Sequence, residues 1–92
     1  MDRPVIERDA TIVNQEGLHA RPAAQIVRLA SSFTAEIEIL KDGFGVNGKS
    51  IMGVMMLAAE CGSCITIRAH GADAEQAVEA LARLVADGFG EP

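Results

Sequence analysis

Apolar positions alternate with period two in some stretches of this chain and recur at helical spacing in others, and the switches between them define the elements. Residues 5–13 (VIERDATIV) are rich in β-branched types, with Ile6, Ala10 and Ile12 on one parity; they predict a strand, although Arg8 interrupts that face. Asn14-Gln15-Glu16-Gly17 reads as a turn. Ala20, Ala23, Ala24, Val27 and Ala30 then repeat at helical spacing, widened by Ile26 and Leu29 and closed by Ser31 and Ser32. Pro22 suits the first turn of that helix, where its missing N–H costs nothing. Residues 34–40 alternate cleanly, Ala35, Ile37 and Ile39 against Glu36 and Glu38, and Lys41-Asp42-Gly43 turns them into a short strand near 44–47. Asp-Gly favours a hairpin because glycine tolerates positive φ. Ser50 precedes a short apolar helix, Ile51 to Leu57, and Ile65-Thr66-Ile67-Arg68-Ala69 is a further alternating strand. After His70-Gly71, the run Ala74, Ala77, Val78, Leu81, Leu84, Val85 predicts the clearest amphipathic helix, with Asp73 as its cap, Gln76 completing a capping box and Glu75 near its positive end.

The predicted order is βαββαβα. Strands that keep Glu36 and Glu38 cannot be buried on both faces, so the sheet is expected to be antiparallel, covered by helices on one side and wet on the other. The fold class is α/β in the α+β sense, an open-faced β-sandwich of four antiparallel strands with three helices on one face. Strand order does not follow from the pattern.

Size and charge narrow the picture. Ninety-two residues suit a single domain over 1–92, since two domains would each bury too little. Nine glycines and three prolines without a low-complexity tract argue against disorder. The net charge is −5, and Arg3, Arg8, Arg21, Arg28, Lys41, Lys49, Arg68 and Arg83 form no run, so no nucleic-acid partner is expected. No signal-peptide core or membrane-length segment is present, so the chain is expected to be cytoplasmic, without membrane insertion.

The chemistry concentrates in Gly17-Leu18-His19-Ala20-Arg21-Pro22. A neutral imidazole is a nucleophile near neutral pH, and the first helical N–H groups, those of Ala20 and Arg21, lack intrahelical partners and suit an anion. The Arg21 guanidinium adds several donors to phosphoryl oxygens, Gly17 admits a tight turn and close approach of another protein, and Pro22 stiffens the first turn. The same spacing fits a solvated helix start, a metal ligand or a structural hydrogen bond. Cys61-Gly62-Ser63-Cys64 is a CxxC, but it follows a helix and enters a strand, the reverse of a thioredoxin-like site, and zinc would need further ligands. Its residues read as structural, with Cys64 starting the last strand. His70 reads as a turn residue. Neither a cofactor nor a metal site is expected.

Taken together, Gly17-Leu18-His19-Ala20-Arg21-Pro22-Ala23-Ala24 and Asn47-Gly48-Lys49-Ser50-Ile51-Met52-Gly53-Val54-Met55, in this spacing and element order, resemble the HPr family of histidine phosphocarriers of the bacterial phosphotransferase system, including its nitrogen-related branch. The resemblance spans roughly residues 5–88. It implies that His19 accepts a phosphoryl group at Nδ1 from enzyme I, charged by phosphoenolpyruvate, and passes it to an enzyme II A domain. Arg21 would stabilise the group in both steps, so the chain is a relay with partner enzymes rather than a self-contained catalyst. It also implies Ser50 as a target of HPr kinase/phosphorylase, beside its physical role as a helix cap. Ile51, Val54 and Leu57 are expected to fill the core, leaving Met52 and Met55 exposed beside the histidine helix as a docking surface. A monomer is expected. A regulatory adaptor using the same face, or a redox or metal protein built on Cys61 and Cys64, are the competing classes.

Overall fold

The computed structural model describes residues 5–92; Arg3 and the rest of 1–4 lie outside the described residues. The elements run β1 (Val5–Thr11), α1 (Ala20–Ser31), β2 (Glu36–Lys41), β3 (Phe44–Asn47), α2 (Ile51–Met56), β4 (Cys64–His70) and α3 (Ala74–Ala86), followed by a 3-10 turn over Gly88–Gly90. The sheet order is β1-β4-β2-β3 and every neighbouring pair is antiparallel. The open-faced arrangement expected from the alternation is therefore the one formed.

Alternation sorts the two faces. Ile37, Ile39, Ile65, Ile67 and Ala69 point under the helices, where Ile26, Val54, Val78, Leu81 and Val85 join them in one apolar cluster. The opposite parity stays in water. There Arg68 sits across from both Glu7 and Glu38, its Nε donating to Glu7 at 2.6 Å and its Nη1 to Glu38 at 3.1 Å. Arg8, which breaks the helix-facing stripe of β1, reaches Glu79 of α3 at 3.8 Å instead of entering the core. Asp42 and Gly43 take left-handed backbone, φ 53° and 82°, as the β2–β3 hairpin requires. Among the described residues, no helix is long and apolar enough to cross a membrane.

Three expectations give way in the structure. The first strand stops at Thr11 rather than residue 13, because Ile12 leaves β1's ladder to exchange bonds with the turn before β4: its N–H donates to Ser63 O and its carbonyl accepts from Gly62 N. Ile51, placed in the core by its type, is 41 % exposed, since a helix of six residues turns only Val54 and the following Leu57 inward. Asp73 precedes α3 but forms no capping bond, and the Asp73–Gln76 box does not form. Its two oxygens accept instead from Thr34 N–H at 2.9 Å and Ala35 N–H at 2.8 Å, clamping the entry of β2 to the start of α3. Two backbone donors outcompete one weak cap at the helix's own end.

Those donors, Thr34's first, hold the Asp73 carboxyl below the usual carboxylate range. A group whose folded pKa is depressed contributes stability that is present above its ordinary range and lost as pH falls through the depressed value. Asp73→Asn, which cannot accept both bonds equally well, is expected to lower the urea midpoint at about pH 7, with the gap to the parent narrowing towards about pH 3. Denaturation curves at the two pH values check this; a gap that widens on acidification would contradict it.

Candidate functional site

The site grows from the N-terminus of α1. His19 is the N-cap residue, with extended backbone (φ −73°, ψ −172°), and its carbonyl accepts the first helical bond from Ala23 N–H at 3.0 Å. Pro22 has no N–H to offer. The amides of Ala20 and Arg21 are thus the donors at this helix start that have no partner among the described residues. His19 does not cap the helix with its ring, which turns outward and is 35 % exposed.

The ring is held by a residue that the sequence reading missed. Glu91 Oε1 lies 2.8 Å from His19 Nε2 and also accepts from Asn14 Nδ2 at 3.0 Å. Asn14 is buried, and the same amide nitrogen donates to Gly17 O at 2.8 Å, so one side chain braces both the turn and the carboxylate. Glu91 reaches the site because α3 is followed by Gly88-Phe89-Gly90, all with left-handed φ (65°, 58° and 75°), and Phe89 plugs into the core. Gln25 Nε2 donates to Phe89 O at 3.2 Å and Gln15 N–H to Pro92 O at 2.9 Å, pinning the tail on both sides of Glu91.

The electrostatics select a tautomer. The bond from His19 above all, then that from Asn14, with the Arg21 charge adding, hold the Glu91 carboxyl below its usual range. An ionised carboxylate only accepts, so in the neutral ring Nε2 carries the hydrogen and Nδ1 keeps the lone pair. Glu91→Ala is therefore expected to convert a ring dominated by the Nε2–H tautomer into a mixture of both. Imidazole nitrogen chemical shifts of the neutral ring read this directly, and an unchanged tautomer ratio would remove Glu91 from the role.

Arg21 is exposed and lines a shallow depression of about 260 Å³ with Gln15, Glu16, His19, Glu91 and Pro92. That is below the volume of an ordinary small-molecule pocket, and the floor is open to a second protein. Gly17 serves an internal approach rather than a foreign one. It packs against the carbonyl of Ala59, and the next amide, Leu18 N–H, donates to that oxygen at 2.9 Å. The α2–β4 connection thereby supports the histidine loop from below.

Ser50 is the N-cap of α2 and its Oγ accepts from Gly53 N–H at 3.2 Å, as its position predicts. Met52 is 72 % and Met55 42 % exposed, as expected, but Met56 at 67 % joins them and Ile51 extends the same apolar helix surface. Val54 and Leu57 are buried as expected. Cys61 and Cys64 are free exposed thiols, and Cys64 does start β4. His70 ends β4 as an exposed strand residue, 3.4 Å from Glu36 across the ladder, and belongs to the wet sheet face rather than to the His19 site.

Comparison with known proteins decides the family. The model of the PTS HPr component phosphorylation site matches residues 6–87. The chain belongs to the HPr family. The phosphocarrier protein HPr of Cupriavidus necator is 46 % identical over 87 residues, covering 95 % of this chain and 98 % of its own. The HPr crystal structure from Thermoanaerobacter tengcongensis superposes with a TM-score of 0.90 at 45 % identity, covering 95 % of this chain and 98 % of that one. Bacillus subtilis Crh, a catabolite repression protein solved as an intertwined, domain-swapped dimer, is 46 % identical with a TM-score of 0.74, covering 80 % of this chain and 85 % of its own. The HPr family match runs to residue 87, so the turn that brings Glu91 to His19 lies beyond it. The expectation of a monomer stays open, since this HPr-family relative pairs with a second copy.

Proposed function

We propose that this HPr-family protein is a histidine phosphocarrier of the phosphotransferase system, accepting a phosphoryl group from phospho-enzyme I on Nδ1 of His19 and passing it to an enzyme II A domain in the cytoplasm. The observation that carries this reading is the hydrogen bond between His19 Nε2 and Glu91 at the start of α1, which leaves the other ring nitrogen as nucleophile. In the transfer, the donor's bond to phosphorus breaks as the Nδ1–P bond forms, and the ring becomes a cation shared with the phosphoryl group. Glu91 stabilises that charge at Nε2, while the Ala20 and Arg21 amides and the Arg21 guanidinium face the phosphoryl oxygens. The onward step reverses the same changes. Turnover belongs to the partner complexes, consistent with a site that is open and shallow.

The decisive experiment is incubation with enzyme I and phosphoenolpyruvate, followed by mapping of the labelled atom. Acid-labile phosphate on His19 Nδ1 is the expected result. A chain that binds enzyme I without taking up phosphate would instead act as a regulatory adaptor on the same face.

Met52 and Met55, with Ile51 and Met56 beside them, form the proposed docking surface, since flexible thioethers adapt to more than one partner. Ser50 stands at the head of that helix and is the proposed site of HPr kinase/phosphorylase. Aspartate caps a helix as well as serine does, and its charge suits the positive helix end. Ser50→Asp is accordingly expected to keep the circular dichroism spectrum and urea midpoint of the parent, while weakening enzyme I binding about tenfold, or about 1.4 kcal/mol. Calorimetric titration checks this, and unchanged affinity would place Ser50 outside the docking face.

A further inference from the structure

Cys61 and Cys64 take no part in the His19 chemistry, yet both are exposed free thiols, Cys61 in the turn joining α2 to β4 and Cys64 at the first position of β4. That turn is closed twice, by Ser63 N–H donating to Glu60 O at 2.9 Å and Glu60 N–H donating to Ser63 Oγ at 3.0 Å. Cys61 lies just inside it and Cys64 just beyond. Cys64 stands opposite Thr11 in the β1–β4 register, and Cys61 Sγ approaches Val13 O at 3.7 Å. Thr11 ends β1 and Val13 follows two residues later, so both cysteines lie at the C-terminal end of β1, with the Cys64 Sγ itself 3.9 Å from Ile65 O. A disulfide needs its two Cα atoms within roughly 7 Å, a span favoured by a chain that turns back on itself over Glu60–Ser63. A Cβ built on the intervening Gly62 would meet nothing within 4 Å, so the turn has room to adjust and is open to a small oxidant.

The turn is also wired to the histidine loop. Gly62 N–H donates to Ile12 O at 2.7 Å, Ile12 N–H donates to Ser63 O at 2.9 Å, and Ala59 O receives Leu18 N–H. Residues 12–18, held at both ends by this one connection, carry Asn14 and lead directly into His19.

We propose that Cys61 and Cys64 are a reversible disulfide pair, closed by hydrogen peroxide, and that closure shifts the loop that seats His19. One thiolate attacks a peroxide oxygen; the O–O bond breaks, a sulfenic acid forms and water leaves. The second thiolate attacks the sulfenic sulfur; the S–S bond forms, the S–O bond breaks and a second water leaves. Two thiols are oxidised and one peroxide is reduced, with both thiol protons ending in water.

The test needs no phosphotransfer, so it stands or falls apart from the carrier reading. Dilute protein is treated with a slight excess of hydrogen peroxide and followed by intact mass, non-reducing electrophoresis and amide NMR. The parent is expected to lose the mass of two hydrogens without cross-linking between molecules, to regain it with dithiothreitol, and to shift the Ile12, Leu18 and His19 amide signals. Cys61→Ser and Cys64→Ser should each take up oxygen or cross-link instead. A parent that only gains oxygen or cross-links, as the single variants do, overturns the pairing. A disulfide that leaves the Leu18 and His19 signals in place overturns the coupling.

Discussion

His19→Ala is expected to take up no acid-labile phosphate from phospho-enzyme I under conditions that label the parent fully. The fall should exceed about 10³-fold, because removing a nucleophile removes the covalent step rather than slowing it. The fold should survive. The ring is partly exposed and makes no capping bond; the residue 19 carbonyl still receives Ala23 N–H, and Glu91 keeps its bond from Asn14. Circular dichroism and the urea midpoint are therefore expected to stay close to those of the parent, which separates loss of chemistry from loss of structure. His70→Ala serves as the internal comparison and should label as the parent does, since that ring stands at a strand end beside Glu36 with no helix start under it. Label retained in His19→Ala and lost in His70→Ala would move the nucleophile to the sheet face and undo the proposed function.

How far this site could be read from the chain depended on how local each contact is. The helix start at His19, the cap at Ser50, the Asp42-Gly43 hairpin and the buried parity of Ile37, Ile39, Ile65 and Ile67 all follow from neighbours within a few residues, and each appears where the pattern places it. What the pattern could not carry were bonds between distant segments. Glu91 lies 72 positions from His19 and follows a glycine-rich turn with no periodicity, so nothing in its surroundings marks it as a partner. The one available signal was a phenylalanine between two glycines after the last helix, a buried anchor in a flexible stretch. Capping rules are local and place Asp73 as the cap of α3, whereas its donors come from Thr34 and Ala35. Ile51 failed for a different reason: hydrophobic type predicts burial only on average, and a short helix has little inward face to share.

Gly17→Ala is expected to be the most damaging single-methyl substitution at the site, costing roughly 2–5 kcal/mol of stability and loosening the histidine loop. Two costs combine. Gly17 has φ +68°, where a side chain costs about 1–2 kcal/mol. A Cβ there would also run into the carbonyl oxygen of Ala59 and lie 3.0 Å from Glu60 Cα. Both obstacles are backbone, so neither can swing aside as a flexible side chain would, and forced repacking of this kind costs about 1–3 kcal/mol. Relief must come from moving the 59–60 segment or the loop itself, and either breaks the Leu18–Ala59 bond and the Asn14 bond to Gly17 O that braces Glu91. Gly43→Ala isolates the first cost. Gly43 has a comparable φ of +82° but nothing within 4 Å of its missing Cβ, so its variant should lose only the conformational part, about 1–2 kcal/mol, and leave the histidine signals unmoved. Urea denaturation of both variants with NMR of the His19 ring separates the two effects. Equal losses of stability would mean that the close approach of Ala59 carries no energy. Gly17→Ala with an undisturbed His19–Glu91 bond would mean that the α2–β4 connection does not position the nucleophile.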